Sequence, residues 1–241
     1  MVVSSEAFDP RMGALEADGI APTMALPARE GLLLDASCRA LDIAVSAVLL
    51  LVLLPVFAAI GLLIRLDSPG PVLFRQQRIG RGRVPFTANK FRTMQHGAAH
   101  DRHREFVLGL IHGKHPAPED SSTPYYKMMG DPRVTTFGRL LRRSSLDELP
   151  QLWNVLWGQM SLVGPRPPIP YEVEHYPAHW FDRFAVKPGI TGLWQVSGRS
   201  EVALEDMVRL DVEYAHRRSL ALNLWILLRT LPAVLGAKGA W

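Results

Sequence analysis

Along most of the chain apolar and polar residues mix at periods that specify short elements, but from Ile43 to Ile64 that mixing stops. These 22 residues, IAVSAVLLLVLLPVFAAIGLLI, contain one clearly polar member, Ser46. A straight helix of that length spans about 33 Å, close to the hydrocarbon thickness of a bilayer. The run therefore predicts a membrane segment, and Arg39 and Arg65 flank it. Pro55, preceded by Leu54, falls near its middle and removes a backbone donor, so a kink is expected there. Two topologies stay open. A spanning helix would put the acidic N-terminus outside, as the positive-inside bias prefers. A helix broken at Pro55 would instead enter one leaflet and return.

Beyond Arg65 the pattern shortens. Asp67-Ser68-Pro69-Gly70-Pro71 reads as a turn, Val72-Leu73-Phe74 as a strand, Gly80-Arg81-Gly82 as a second turn and Phe86 to Phe91 as the returning strand of a hairpin. Residues 95–126 carry five of the eight histidines among Pro, Gly and Ser, and read as a solvated loop. His96, His100 and His103 have helical spacing, but no carboxylate partner supports a metal site there. Asp131-Pro132 opens a helix with Val134, Phe137, Leu140 and Leu141 on its apolar side, which carries Arg142 and Arg143 to its end. Tyr171 to Phe184 is rich in aromatic residues, suited to a core or to a membrane interface. Lys187 to Gly192 reads as a glycine turn, Leu193 to Val196 as a short strand and 202–216 as an amphipathic helix. Leu220 to Leu235 is apolar but interrupted by Asn223, Arg229 and Pro232. It is short for a span and suited to lying in the interface.

These elements give an α+β fold, mainly helical with a small β-hairpin, divided into a variable lead-in (1–36), a membrane segment (37–66) and a body (67–241) with an interfacial C-terminal helix. Composition sharpens that division. The chain is 48% hydrophobic and its net charge is +4, yet residues 1–42 hold seven acids against three bases, which leaves +8 for the remainder. A basic body beside a membrane segment implies anionic partners such as nucleotides or phospholipid headgroups. Nucleic acid is not expected, because no dedicated motif accompanies the charge. Cys38, the only cysteine, excludes an internal disulfide and a cysteine-based metal site.

The candidate chemistry lies in Ser144 to Pro167, SSLDELPQLWNVLWGQMSLVGPRP. Ser145 and Glu148 have capping-box spacing, and Leu149, Leu152, Trp153 and Leu156 follow at helical period with Gly158 at the end. Pro150 offers an alternative, a turn through Asp147 and Glu148 with the helix starting at the proline. Adjacent carboxylates in a first turn are ordinary capping residues. Their company is not: Arg142 and Arg143 precede them and Arg166 follows in Gly164-Pro165-Arg166-Pro167. Guanidinium groups around a carboxylate pair suit a site for phosphate.

With LDELPQLWNVLWGQMSLVGPRP, KFRTM at Lys90 to Met94, DPRVTTFGRLLRR and KPGITGLWQVSGR in this order, the chain resembles the bacterial sugar transferases, the monotopic phosphoglycosyl transferases. The similarity runs from about Arg39 to near residue 235, and with about 36 residues ahead of the anchor it resembles their short, catalytic-core form. The resemblance implies Asp147 as nucleophile, Glu148 as its dyad partner, magnesium held by both, and Lys90, Arg142, Arg166 and Arg199 lining the site. It also implies a re-entrant helix-break-helix anchor in the inner leaflet of the bacterial cytoplasmic membrane, with the catalytic body facing the cytoplasm. The family commonly breaks the helix with Ser-Pro. Here Leu54 replaces that serine, so the break rests on Pro55.

The implied reaction moves a sugar-1-phosphate, loosely a hexose-1-phosphate, from a UDP-sugar to a polyprenol phosphate, with undecaprenyl phosphate expected, and releases UMP. It would be the first membrane step of polysaccharide synthesis. Two alternatives stay open: a membrane-tethered scaffold that binds anionic lipid, and a glycosyltransferase that releases UDP. Self-association as a homo-oligomer is left open.

Overall fold

The computed structural model describes residues 28–97, 101–111, 131–198 and 203–235. Two helices open the fold, α1 (Ala28–Val52) and α2 (Leu54–Asp67), and they meet at 61°. No single helix among the described residues is long and apolar enough to cross a membrane, although this bent pair together has that length and composition. Leu53 leaves helical geometry (φ −87°, ψ 4°) and Pro55 lies in the first turn of α2, where its missing N–H costs least. The break therefore forms without the serine hydroxyl. Because α1 starts at Ala28, the expected lead-in is corrected: residues 28–36 are helical, since Asp35 is held by Arg81 at 3.1 Å and by Arg218.

The hairpin pairs β1 (Leu73–Ile79) with β2 (Pro85–Phe91), antiparallel, with Phe74 opposite Lys90 and Arg78 opposite Phe86. Gly82 (φ +64°) makes the tight turn between them. Asp101–Ile111 forms α3, not the loop expected, because Val107 is buried and Leu110 and Ile111 pack against the aromatic core. His100 and the His103 side chain lie outside the described residues, and no cluster of three or more potential metal ligands occurs among those described. Helix α4 (Thr136–Ser144) begins later than Asp131, because the Thr135 hydroxyl accepts the Gly138 N–H as an N-cap while Asp131 binds Arg133 at 2.6 Å.

After a turn come α5 (Gln151–Leu156), β3 (Ser161–Val163) and α6 (Pro170–Val173). The aromatic stretch belongs to the core: Tyr176 and Trp180 are buried edge to face, with ring centroids 4.9 Å apart. The glycine turn is in part a strand, β4 (Gly189–Thr191), parallel to β3, and the expected strand at Leu193 is a helix, α7 (Leu193–Ser197). Only glycine permits this approach, because a Cβ on Gly189 would lie 2.1 Å from the Gly164 backbone nitrogen. The fold closes with α8 (Leu204–Arg217) and α9 (Leu220–Leu235). On α9, Asn223 and Ile226 face inward while Leu224, Trp225, Leu228 and Leu231 are exposed.

The first helix is built inside out, with polar groups toward the protein and apolar groups away from it. Cys38, Asp42 and Ser46, four residues apart, are buried, while Val48, Leu51 and Val52 are exposed. Asp42 accepts the Leu162 N–H at 2.8 Å and the Ser161 hydroxyl at 3.0 Å. Arg39 donates to the Val155 and Leu156 carbonyls at 2.6 and 2.7 Å, placing a cation at the C-terminal end of α5. Arg39→Ala is expected to lower stability by about 1–2 kcal/mol, with lysine recovering only part because it lacks the planar fork. Thermal unfolding of the detergent-solubilised chain checks this.

Candidate active site

Helix α4 cannot run on past Ser144, because Ser145 adopts the left-handed region (φ 57°, ψ 16°) and its N–H returns to the Arg142 carbonyl at 3.2 Å. For a residue with a Cβ that conformation is uncommon and marks a constrained site. It reverses the chain into a short 3-10 turn, Leu146–Glu148, and Pro150 then precedes α5. The capping box does not form, since the Ser145 side chain makes no capping bond. The turn with a helix starting at the proline is the arrangement found, and Gly158 (φ +83°) ends it as expected.

The turn packs on β2 and α4, which brings two of the expected residues, Lys90 and Arg142, to the Asp147-Glu148 pair. Lys90 reaches from β2 to Glu148, Nζ to Oε1 2.7 Å, with both side chains part-exposed. Gln151 Nε2 donates to the other Glu148 oxygen at 3.2 Å, so the carboxylate is held from two sides. Arg142 donates from Nε to Thr93 Oγ1 at 2.9 Å. Burial lowers the Arg142 pKa, while the carboxylates of Asp147 and Asp131 oppose that shift. Asp147 and Arg142 thus act on each other as a carboxylate and a cation at one place.

Arg166 has a different partner. It lies in the loop between β3 and α6, and its Nη1 donates to Glu172 Oε2 at 3.2 Å. Arg199 lies outside the described residues. Thr93, Gln151 and Glu172 were not anticipated. Gln151 had a signal, one helical turn after Glu148, and Thr93 lies in the KFRTM motif, but nothing pointed to its pairing with an arginine 49 residues away.

The donor set at the turn is two adjacent carboxylates, and no third His, Cys, Asp or Glu joins them among the described residues. Magnesium takes hard oxygen donors, commonly one or two carboxylates, with waters and substrate phosphates completing its shell. Asp147 and Glu148 fit an ion shared with a phosphate and do not fit a protein-only cage.

The chain that carries this acidic pair, hairpin and bent apolar helix pair is similar in sequence to a known class. The family model described as bacterial sugar transferase covers residues 34–237, and the chain belongs to that family. It is accordingly an enzyme of the phosphoglycosyl transferase class. The exopolysaccharide production protein ExoY of Sinorhizobium fredii is 37% identical over 205 residues, covering 85% of this chain and 88% of the relative. The UDP-glucose:undecaprenyl-phosphate glucose-1-phosphate transferase of Xanthomonas campestris is 40% identical over 208 residues, 83% of this chain and 39% of the relative. The undecaprenyl-phosphate galactose phosphotransferase of Salmonella typhimurium is 37% identical over 203 residues, 84% of this chain and 41% of the relative.

Proposed function

We propose that this enzyme transfers a hexose-1-phosphate from a UDP-sugar to undecaprenyl phosphate, with UMP as the second product. The observation that carries the proposal is the Asp147-Glu148 turn, held by Lys90 and preceded by the helix that ends in Arg142, in a chain whose relatives are named for this transfer. An Asp147 oxygen attacks the β-phosphorus, and the bond from that phosphorus to the UMP oxygen breaks. The resulting aspartyl-phosphosugar is opened by an oxygen of the lipid phosphate, which restores the carboxylate and completes the diphosphate. Anion attacks anion in both steps, so Arg142 and Lys90 lower the barrier by offsetting charge at the phosphate. Lys90 also fixes Glu148. Magnesium, held by Asp147 and Glu148, would supply further charge neutralisation at the diphosphate.

The exposed apolar side chains support a membrane location for this reaction. Leu51, Val52, Leu54, Leu62, Leu63 and Leu66 on the bent pair, and Leu228 and Leu231 on α9, lie on the surface. So much exposed hydrocarbon suits a bilayer. We place the pair in the cytoplasmic leaflet as a re-entrant anchor, with Trp153 and Trp157 at headgroup level, where amphipathic rings partition. The polar attachment of α1 to the body through Arg39 and Asp42 supports an anchor that returns to the side it entered.

UDP-glucose and UDP-galactose, each supplied with undecaprenyl phosphate and magnesium, test the proposal. UMP together with a diphosphate-linked lipid sugar is the expected product pair. UDP as the product would make the enzyme a direct glycosyltransferase, and no turnover across a panel of UDP-sugars would favour the scaffold.

A further inference from the structure

The stretch from Gly164 to Pro168 has no regular structure of its own, and buried charge fixes it in place. The Arg166 N–H donates to Asp211 Oδ2 at 3.3 Å and its carbonyl accepts from Arg183 Nη2 at 2.9 Å. Its guanidinium donates to Glu172 Oε2 at 3.2 Å. One residue is thus gripped at both peptide groups and at its head. The gripping residues also hold one another. Arg183 Nη2 donates to Asp211 Oδ2 at 2.5 Å and Nη1 to the Tyr176 hydroxyl at 3.3 Å, and that hydroxyl donates to Glu172 Oε2 at 3.2 Å.

Glu172 and Arg183 are 1% exposed and Asp211 is fully buried. They come from three separate elements: α6, the 3-10 helix Ala178–Ala185 and α8. Interior charges cost desolvation that apolar side chains of equal volume would avoid, so such a network is weak evidence for stability as its purpose. It is also incomplete as packing, because Glu172 Oε1, Arg183 Nε and Asp211 Oδ1 make no hydrogen bond. What the three do share is Arg166. Burial pushes the Asp211 carboxyl up to about 6 against the pull of Arg183 and the Arg166 amide. For Glu172, burial is outweighed by Arg166 and Arg78, and its pKa is lowered.

We propose that Glu172, Arg183 and Asp211 are positioning residues that set the place and direction of the Arg166 guanidinium without touching substrate. This rests on Arg166 being a ligand of the substrate phosphate, as the family resemblance implies. The test uses the full chain in lipid nanodiscs, with UDP-glucose and UDP-galactose as donors, and compares Arg166→Ala, Glu172→Gln and the double variant. Glu172→Gln is expected to raise the KM for the donor by about tenfold, the scale of one hydrogen bond to a charged group, with kcat within about twofold. In the Arg166→Ala background the same substitution is expected to change KM no further. Equal effects in both backgrounds would mean that Glu172 acts independently of Arg166, and would overturn the positioning role alone. An unchanged KM in Arg166→Ala would remove the phosphate assignment and the proposal with it. Should Glu172→Gln fail to fold by thermal unfolding, Tyr176→Phe replaces it, because it deletes one donor to Glu172 and keeps the ring. A KM rise of about threefold that vanishes without Arg166 is then expected, and an unchanged KM overturns the proposal.

Discussion

Asp147→Asn is expected to lower turnover by roughly three orders of magnitude or more, and to leave the protein folded. Asparagine matches aspartate in shape, so the turn after Ser145 survives, and the Lys90–Glu148 pair at 2.7 Å does not depend on it. What disappears is the anionic oxygen proposed to form the bond to phosphorus. A donor carrying phosphorus-32 in its β-phosphate should label the wild-type chain in the absence of lipid acceptor, and should leave the variant unlabelled. Label retained by the variant would move the nucleophile elsewhere. Turnover retained without label would mean that the lipid phosphate displaces UMP directly. Unfolding cannot mimic the expected result, because a melting temperature near that of the wild type is part of it.

The second large effect is structural. Gly164→Ala would put a Cβ 2.3 Å from the Lys187 carbonyl oxygen and 2.8 Å from the Gly189 nitrogen. Both are backbone atoms, one at the start of β4 and one two residues before it, so neither can swing aside as a side chain would. We expect a loss of about 3 kcal/mol or more, at or above the upper end of overpacking costs, seen as a large fall in melting temperature or in yield of folded protein. Gly31→Ala is the control. A Cβ there meets nothing within 4 Å in the first helix, so that substitution is expected to be neutral or stabilising by up to about 1 kcal/mol.

How much of this was legible in the chain depended on how local each determinant is. The hairpin was readable because Gly80-Arg81-Gly82 and the flanking apolar residues act within one turn, although its first strand runs on to Ile79, beyond the Val72 to Phe74 expected. The helix pair was readable from its unbroken apolar run with one proline. The polar stripe of α1 was not, because Asp35, Cys38 and Arg39 precede that run and take meaning only from partners such as Arg218 and Val155, more than a hundred residues away. Leu193 to Val196 could form a strand or a helix on propensity alone. Tertiary packing decided for helix, and Gly189 to Thr191 took the strand position because a neighbouring backbone could approach it. Ser145 shows the limit of local rules. Its spacing to Glu148 suits a cap, yet the same residue is needed to end α4 in the left-handed region, and that role prevailed. At the site, the acid pair and its flanking arginines were visible, while the pairing of Thr93 with Arg142 and the buried partners of Arg166 required the folded chain.

The two arms of the bent helix pair do not hang from the body. The first packs against α5 and the second against α4, so they brace the chain on both sides of the turn that carries Asp147. Were the arms in lipid as proposed, the angle at Leu53 would act as a mechanical stop that sets how deep Asp147 rides. On that reading a lipid phosphate would be met by lateral diffusion at one set depth, and a carrier whose phosphate floated higher or lower would pass the enzyme without being seen.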